Sequence, residues 1–541
     1  MVRSLALLGL LLPCAFPLSG QGTGSAPGAP RVEDAMGRLA PDSAMDRTLL
    51  RRGGTHLVRW VTSPTGWSLP AALGSGVSAS VLAPELRVVH NSALSYSPNE
   101  GSLWASRGPS TRILLGGILE SGHLELTLAP ELTWTENRAY QVYRSTDPDR
   151  HPYASPWHVP PHASADLPLR PGAESLWWIH PGQSSLAVRW RSVRGGVSTE
   201  NRWWGPGLGN ALVLGADGPG FPHVFLETSA VGTPLGEIEA AWILGRLTAS
   251  PWFTASGEAE ARTVSGLAFA LSVVDGFRIG AARLLVRAGA PGPLDAADPI
   301  LSWESVWRED ATGTVVEPST DQISSIFFQL TPADRVELYG EWARVDLPHD
   351  LRELLETPQH SQGYTIGFQW RSPGGSSGRS VRVQAEATNL EQTRVRGDRP
   401  AAPSFYTGRA TPEGLTHRGR VLGAAIGPGA QSQHLSLDLL SGGPEAAPNW
   451  RTGLMLGRAR WENDTFSRLP LATQFSHDTS LLFGVRAAGR ASGIEAEGQV
   501  VYQKRFNYLF QNGINRPGGL RTVDVTNWTV GLTLRPTGRR P

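Results

Sequence analysis

The sequence predicts an all-β protein, a transmembrane antiparallel β-barrel behind a short N-terminal extension. Three observations predict it: an export-type leader, many segments whose apolar residues recur at every second position, and no run in the mature chain as long as the roughly eighteen apolar residues of a membrane helix.

The leader occupies residues 1–20. Arg3 is followed by the apolar run Leu5–Leu12, by the helix breakers Pro13 and Pro17, and by the small residues Ser19 and Gly20, the layout of a secretory signal. Cys14 is the only cysteine. A lipidated cysteine normally follows a small residue, whereas Pro13 stands here, so Cys14 is expected to leave with the leader. The mature chain then has no thiol for disulfides or metal, and packing and backbone hydrogen bonds must stabilise it.

Composition excludes one class of partner. With 49 Lys+Arg against 48 Asp+Glu the formal charge is +1, which supplies no field for a nucleic-acid backbone. Lys504 is the only lysine, every other cation being Arg. Arg stacks on flat ligands and forks onto carboxylates as Lys cannot, but a GC-rich genome accounts for the bias equally well.

Among 541 residues the 62 Gly and 42 Pro are spread along nearly the whole chain, with no linker between unlike halves, so one large β-structure is expected rather than several domains. Only residues 21–54 stand apart, as an expected periplasmic extension with short helical pieces at Val32–Leu39 and Asp42–Arg51. The barrel is expected over 55–541, where Thr55–Thr62 already reads as strand.

Strict alternation dominates that region. In Gly363–Arg371, Tyr364, Ile366, Phe368 and Trp370 share one face, and Thr365, Gly367, Gln369 and Arg371 the other. The same period recurs at Leu124–Leu128, Leu186–Arg191, Val381–Thr388 and Asn527–Leu534, and the segments of this kind number in the teens. Alternation alone fits a soluble sandwich as well as a barrel in lipid. The barrel is favoured by large charged residues on the polar face, where Arg382, Glu386, Glu495, Glu497, Arg458 and Arg460 would line an aqueous interior, and by Trp or Tyr at strand ends. Segment lengths of about nine to eleven residues suit a tilted crossing. Short connections such as Ser372–Gly378 alternate with long ones such as Asp346–Gln362 and Glu391–Arg409, as periplasmic turns alternate with extracellular loops.

Four blocks carry a family resemblance. "NRWWGPGLGNALVLGADGPGFPHVFLE" (201–227) resembles the signature of the Wzi family of capsule-assembly outer-membrane proteins, a Trp-Gly-Pro motif followed by a short apolar strand and a Phe-Pro-His return. "LTHRGRVLGAAIGPGAQS" (415–432), "PNEGSLWASRGPSTRILLGG" (98–117) and "YGEW" (339–342) resemble further family segments in order. The resemblance implies a monomeric barrel of about eighteen strands whose outer loops hold the cell's own polysaccharide. Residues 21–54 depart from it, being too short and too rich in Pro and Gly for the N-terminal helical bundle of enterobacterial members.

Candidate polysaccharide contacts are Asn201, Arg202, Trp203, Trp204, Asn210, His417 and Arg418. Aromatic plates stack on the C–H faces of sugars while Arg and Asn bond the hydroxyls, and Arg also pairs with uronic acids. Each residue has a plainer reading. Trp203 and Trp204 would equally serve as girdle anchors or loop packing, and Asn201, Arg202 and Asn210 would satisfy turn backbone. Gly205, Pro206, Gly207 and Gly209 suit a tight turn, and Gly419 serves the conformation of its own segment. His417 and Arg418 would pair structurally in the lumen, and His223 beside Pro222 reads as a turn residue. No second His stands at a ligand spacing, so no metal and no cofactor is expected.

Catalysis fails on context. "GGSSG" (374–378) centres on Ser376 but lies between strands, not before the helix of a nucleophile elbow, and "GPGLG" (205–209) precedes no helix. The acids of His349–His360 have a short helical period that fits a solvated face better than a glycosidase pair. The expectation is therefore a non-enzymatic barrel in the outer membrane, in contact with its lipid and with surface polysaccharide. Its rivals are a diffusion porin and a secreted carbohydrate-active enzyme.

Overall fold

The computed structural model describes residues 76–536 except 159–162, 229–230, 259, 275, 298, 300–307, 310–314, 317–318, 334, 346, 348–350, 374–377, 393–402, 442–449, 469–475 and 512–522; N-terminal to them it describes 31–33, 38–40, 57–59 and 64–68. The leader, Cys14, Asp42–Arg51 and Ser376 lie outside the described residues.

Alternating sequence makes alternating strands, and here they close. The main sheet has 24 hydrogen-bonded segments. Pro64–Ser68 is a short piece beside Val77–Leu82, and five wall strands are each interrupted once, as where Val77–Leu82 resumes as Glu85–Asn91 after Pro84. That leaves eighteen strands, each antiparallel to its chain neighbour. The last, Val525–Pro536, pairs with the first from Thr529↔Asn91 to Leu534↔Leu86, so the wall is a ring without edges.

Exposure decides between sandwich and barrel. The apolar face points outward: Ile326 is 58% exposed, Ile366 55%, Leu456 50% and Leu481 54%. The polar face is buried, with Asp438 at 0% and Arg382 and Glu497 at 4%. A soluble protein would reverse this, so the outer band is a lipid-facing surface. Arg458 and Arg460 correct the expected lumen lining. They share the parity of Leu454 and Leu456 on Trp450–Arg460, hence the outer face, beyond the apolar band.

Short turns such as that between Thr479–Ala491 and Ile494–Phe506 occupy one end of the barrel, together with Val77 and Pro536. The long connections, among them 92–107, 136–175, 199–222, 345–361 and 390–430, occupy the other. Barrels of this plan keep short turns in the periplasm and long loops outside.

The N-terminal extension differs from expectation. Arg31–Glu33 pairs antiparallel with Arg38–Ala40 where a helical piece was predicted; so few residues, with Gly37 among them, cannot offset the cost of nucleating a helix. Leu57–Arg59 is a strand as expected, but it pairs with Arg202–Trp204 rather than joining the wall, which begins at Val77.

Candidate functional site

Alternation stops at Ser198, and the chain from 199 to 222 turns into the barrel. Its apolar residues Trp204, Leu212, Val213, Leu214 and Phe221 pack on inward residues of the wall, Ile243, Val264, Leu284 and Ile323 among them. The 390–430 connection meets them from the other side with Tyr406, Leu415, Val421 and Leu422. Tyr406 joins the two loops directly: its hydroxyl donates to Leu212 O at 2.8 Å and accepts from Ala424 N at 2.8 Å. The lumen therefore holds a packed plug made from its own extracellular loops.

Trp203 and Trp204 are 4% and 0% exposed, so neither indole is a girdle anchor and neither has a face open to a sugar. Trp203 Nε1 donates to Gly207 O at 2.9 Å, and Trp204 N bonds Leu214 O at 3.0 Å. At Gly205 φ is +116° and a Cβ would lie 2.5 Å from a Glu341 carboxylate oxygen, so only glycine fits. Glu386 on the wall accepts from Leu208 N at 2.6 Å, Gly209 N at 3.1 Å and Tyr339 Oη at 2.8 Å, and Glu341 from Leu212 N at 3.1 Å. Two buried carboxylates thus clamp the Gly-Pro-Gly turn to the barrel.

The polar candidates serve the same plug. Asn201 bonds Gln183 and Gly218 O. Asn210, 2% exposed, faces Glu386 and Ser432. Arg202 donates to Glu227 at 2.5 Å and to His223 Nε2 at 3.3 Å, and lies over the Phe225 ring. His223 itself opens the strand His223–Thr228 rather than a turn. The structure brings all of these together as supports of the plug, not as a surface.

His417 and Arg418 cap the 390–430 loop against the wall. Thr248 N donates to His417 Nδ1 at 3.1 Å, and Arg418 N returns a bond to Thr248 O at 2.8 Å. Arg418 takes φ +49° and Gly419 φ +81°, so the chain reverses through two left-handed residues. The Arg418 side chain is exposed, with a guanidinium nitrogen 3.4 Å from His180 Nδ1.

Burial, reinforced by Arg418, Arg262 and His180, holds the His417 imidazole well below the ordinary 6.5. The unfolded segment takes up a proton near pH 6.5 while the folded one does not, so the stability this residue lends is present above that pH and lost as pH falls through it. Protease protection of the 390–430 loop is therefore expected to fall between about pH 7.5 and about pH 5. His417→Gln, whose amide oxygen can still accept from Thr248, should flatten the response.

A surface the sequence reading missed lies at the loop end. Tyr143 and Trp157 from the 136–175 loop meet edge to face at 5.1 Å, and Trp157 meets Phe510 at 5.4 Å. Phe510 lies 6.1 Å from Phe466, and Phe466 lies 3.9 Å from His477. Phe510 is buried as the floor; Tyr143, Trp157 and Phe466 are half-buried and His477 is exposed. Polar groups edge the row: Glu462 bonds His158 Nε2 at 2.8 Å, Asn463 bonds His477 Nδ1 at 2.7 Å, and Arg144 is exposed beside Tyr143. Half-exposed rings edged by donors and acceptors are what a sugar chain needs. The signal was present in "AYQVYR" and "YASPWH", aromatic stretches without alternation inside a long connection. Among the described residues no group of three or more His, Cys, Asp or Glu could hold a metal ion.

Comparison with known proteins agrees with this architecture. The family described as capsule assembly protein Wzi matches residues 179–438. Wzi of Escherichia coli, an outer-membrane protein involved in group 1 capsule assembly and described as a carbohydrate-binding β-barrel, is 12% identical over 83% of each chain, with a TM-score of 0.50. OccD3 of Pseudomonas aeruginosa is 9% identical over 88% of this chain and 94% of its own, with a TM-score of 0.39. No curated protein sequence matches. The barrel and its place in the outer membrane follow from the fold, the lipid-facing band and the family match together.

Proposed function

We propose that this outer-membrane barrel is a member of the Wzi capsule-assembly family, whose model matches residues 179–438, and that it binds surface polysaccharide with its extracellular loops and keeps it on the cell, as a monomer and without catalysing a reaction. The observation that supports this best is the row of half-exposed rings from Tyr143 to His477, drawn from separate long loops. The candidates around Asn201–Asn210 and His417–Arg418 enter this reading indirectly, as supports of the plug beneath the loops that carry the row. A packed plug beneath it argues against a diffusion pore, because solute would have to displace a hydrophobic core.

Purified barrel in detergent should bind the polysaccharide of its own cell. Tyr143→Ala with Trp157→Ala should weaken that binding by roughly tenfold or more, since stacked aromatic anchors dominate such contacts. Circular dichroism and heat-modifiable gel mobility should remain those of the parent. Parental affinity in the double variant would remove the row from the site.

A further inference from the structure

The backbone of Arg418 anchors its loop, but its side chain takes no part in the plug. Along the wall strand Leu176–His180, Trp177 and Ile179 are exposed on the lipid side, and Trp178 and His180 face inward. Arg418 reaches His180 from the 390–430 loop, which puts its guanidinium on the inner side of the wall. An arginine nitrogen only donates, so His180 accepts through Nδ1 and is neutral, with its one ring proton on Nε2. That Nε2 is buried and has no hydrogen-bond partner among the described residues. A donor in this corner thus lacks an acceptor from the protein itself, as expected of a group that meets something the chain does not supply.

An aromatic plate stands beside the imidazole. The Trp178 ring lies 5.9 Å from the His180 ring and 5.6 Å from Trp252, which meets Trp104 edge to face at 5.6 Å. Trp104 and Trp252 are buried, whereas Trp178 is half-buried. Backbone closes on the two buried indoles: a Cβ at Gly172 would lie 2.8 Å from Trp252 Nε1, and one at Gly419 would lie 3.1 Å from the Trp104 ring. Trp178 therefore rests on a fixed pair while part of its own surface stays open. Because one imidazole neighbours both Trp178 and Arg418, the plate and the cation lie within reach of a single sugar unit.

The cation is also uncompensated. Among the described residues no carboxylate pairs with Arg418, and burial alone acts on its guanidinium, holding its pKa below the ordinary value. Arg420, two positions on, differs: it pairs with Asp217 at 2.8 Å and lies over the Trp104 ring.

From this we infer that Trp178, His180 and Arg418 form a second sugar contact, one that selects a unit carrying a carboxylate on its ring, so that the polysaccharide held is acidic. The indole face takes the C–H side of the ring and the guanidinium fork takes the carboxylate. One guanidinium beside a neutral imidazole balances one unit of charge, and a charge borne by the ring, rather than by a linkage between rings, lies next to the stacked face. The inference rests on the reading that the loops hold polysaccharide, and the contact shares no residue with the row from Tyr143 to His477.

The test is surface plasmon resonance of the intact barrel in detergent over the immobilised polysaccharide of its own cell, in native form and after chemical reduction of its carboxylates to alcohols. The parent should hold the native form roughly tenfold more tightly than the reduced one, the worth of a charge-assisted pair. Arg418→Gln, verified as folded by heat-modifiable mobility, should lose that margin and hold both forms alike, and Arg418→Lys, which keeps the charge without the fork, should fall between. Trp178→Ala should weaken both forms by a similar factor, because stacking does not depend on the charge. Equal binding of the two forms by the parent would overturn the acidic unit and leave the polysaccharide reading standing. A Gln variant that still prefers the native form as the parent does would overturn Arg418 as its partner. Binding of neither form by the parent would overturn the polysaccharide reading itself, and this inference with it.

Discussion

Trp204→Ala should leave a barrel that assembles around a plug that no longer holds. The indole is fully buried, and a Cβ built at Gly266 on the wall would lie 3.0 Å from it, so the ring sits directly on the backbone of the barrel. Truncating a buried Trp costs about 3–5 kcal/mol, from lost burial and the cavity left behind. That loss falls on the plug. The wall is held by hydrogen bonds around a closed ring that the substitution does not touch. Heat-modifiable mobility should persist, while the 199–222 and 390–430 loops become cleavable by protease and ion conductance appears in planar bilayers where the parent shows little. A variant as impermeable and as protected as the parent would show that Trp204 is not the keystone of the plug.

Asp438→Ala should act on the wall instead. Asp438 is 0% exposed inside the barrel, accepting from Arg486 at 2.8 and 2.5 Å and from Arg382 at 3.2 Å twice. Without that carboxylate two buried guanidiniums face each other across four neighbouring strands. Removing one partner from a buried charge cluster costs about 3–5 kcal/mol, mostly as the charge left behind. The midpoint for loss of the fast-migrating folded form, in heat or urea, should fall well below that of the parent, and Asp438→Asn should lie between. An unchanged midpoint would mean that the guanidiniums find other partners or water. Unlike Trp204→Ala, this change should lower wall stability before it opens the lumen.

How far the sequence reached depended on which forces were local. Tyr364, Ile366 and Trp370 announced a lipid-facing row because the two-residue period is a property of the chain itself, and the structure exposes all three. Arg458 and Arg460 were equally legible. Counting back to Leu454 and Leu456 places them outside, and only the habit of sending charge to the lumen hid it. Trp203 and Trp204 were not legible. Trp204 is buried in a cluster that includes residues of Leu415–Ala424, two hundred positions away in a loop whose path no period dictates, and Trp203 packs on Ala211 and Ala216 of its own connection. The same holds for the ring row, which exists only once separate connections meet. Val32–Leu39 failed for the opposite reason, since a helical pattern that short has no stability of its own.

Retention of polysaccharide by living cells tests the central claim most directly. Polysaccharide would be measured on cells and in the medium for the parent, a deletion strain, and a strain carrying Tyr143→Ala with Trp157→Ala at parental protein levels. Both altered strains should make the parental amount and shed most of it into the medium. Full retention in the deletion strain would contradict surface tethering outright.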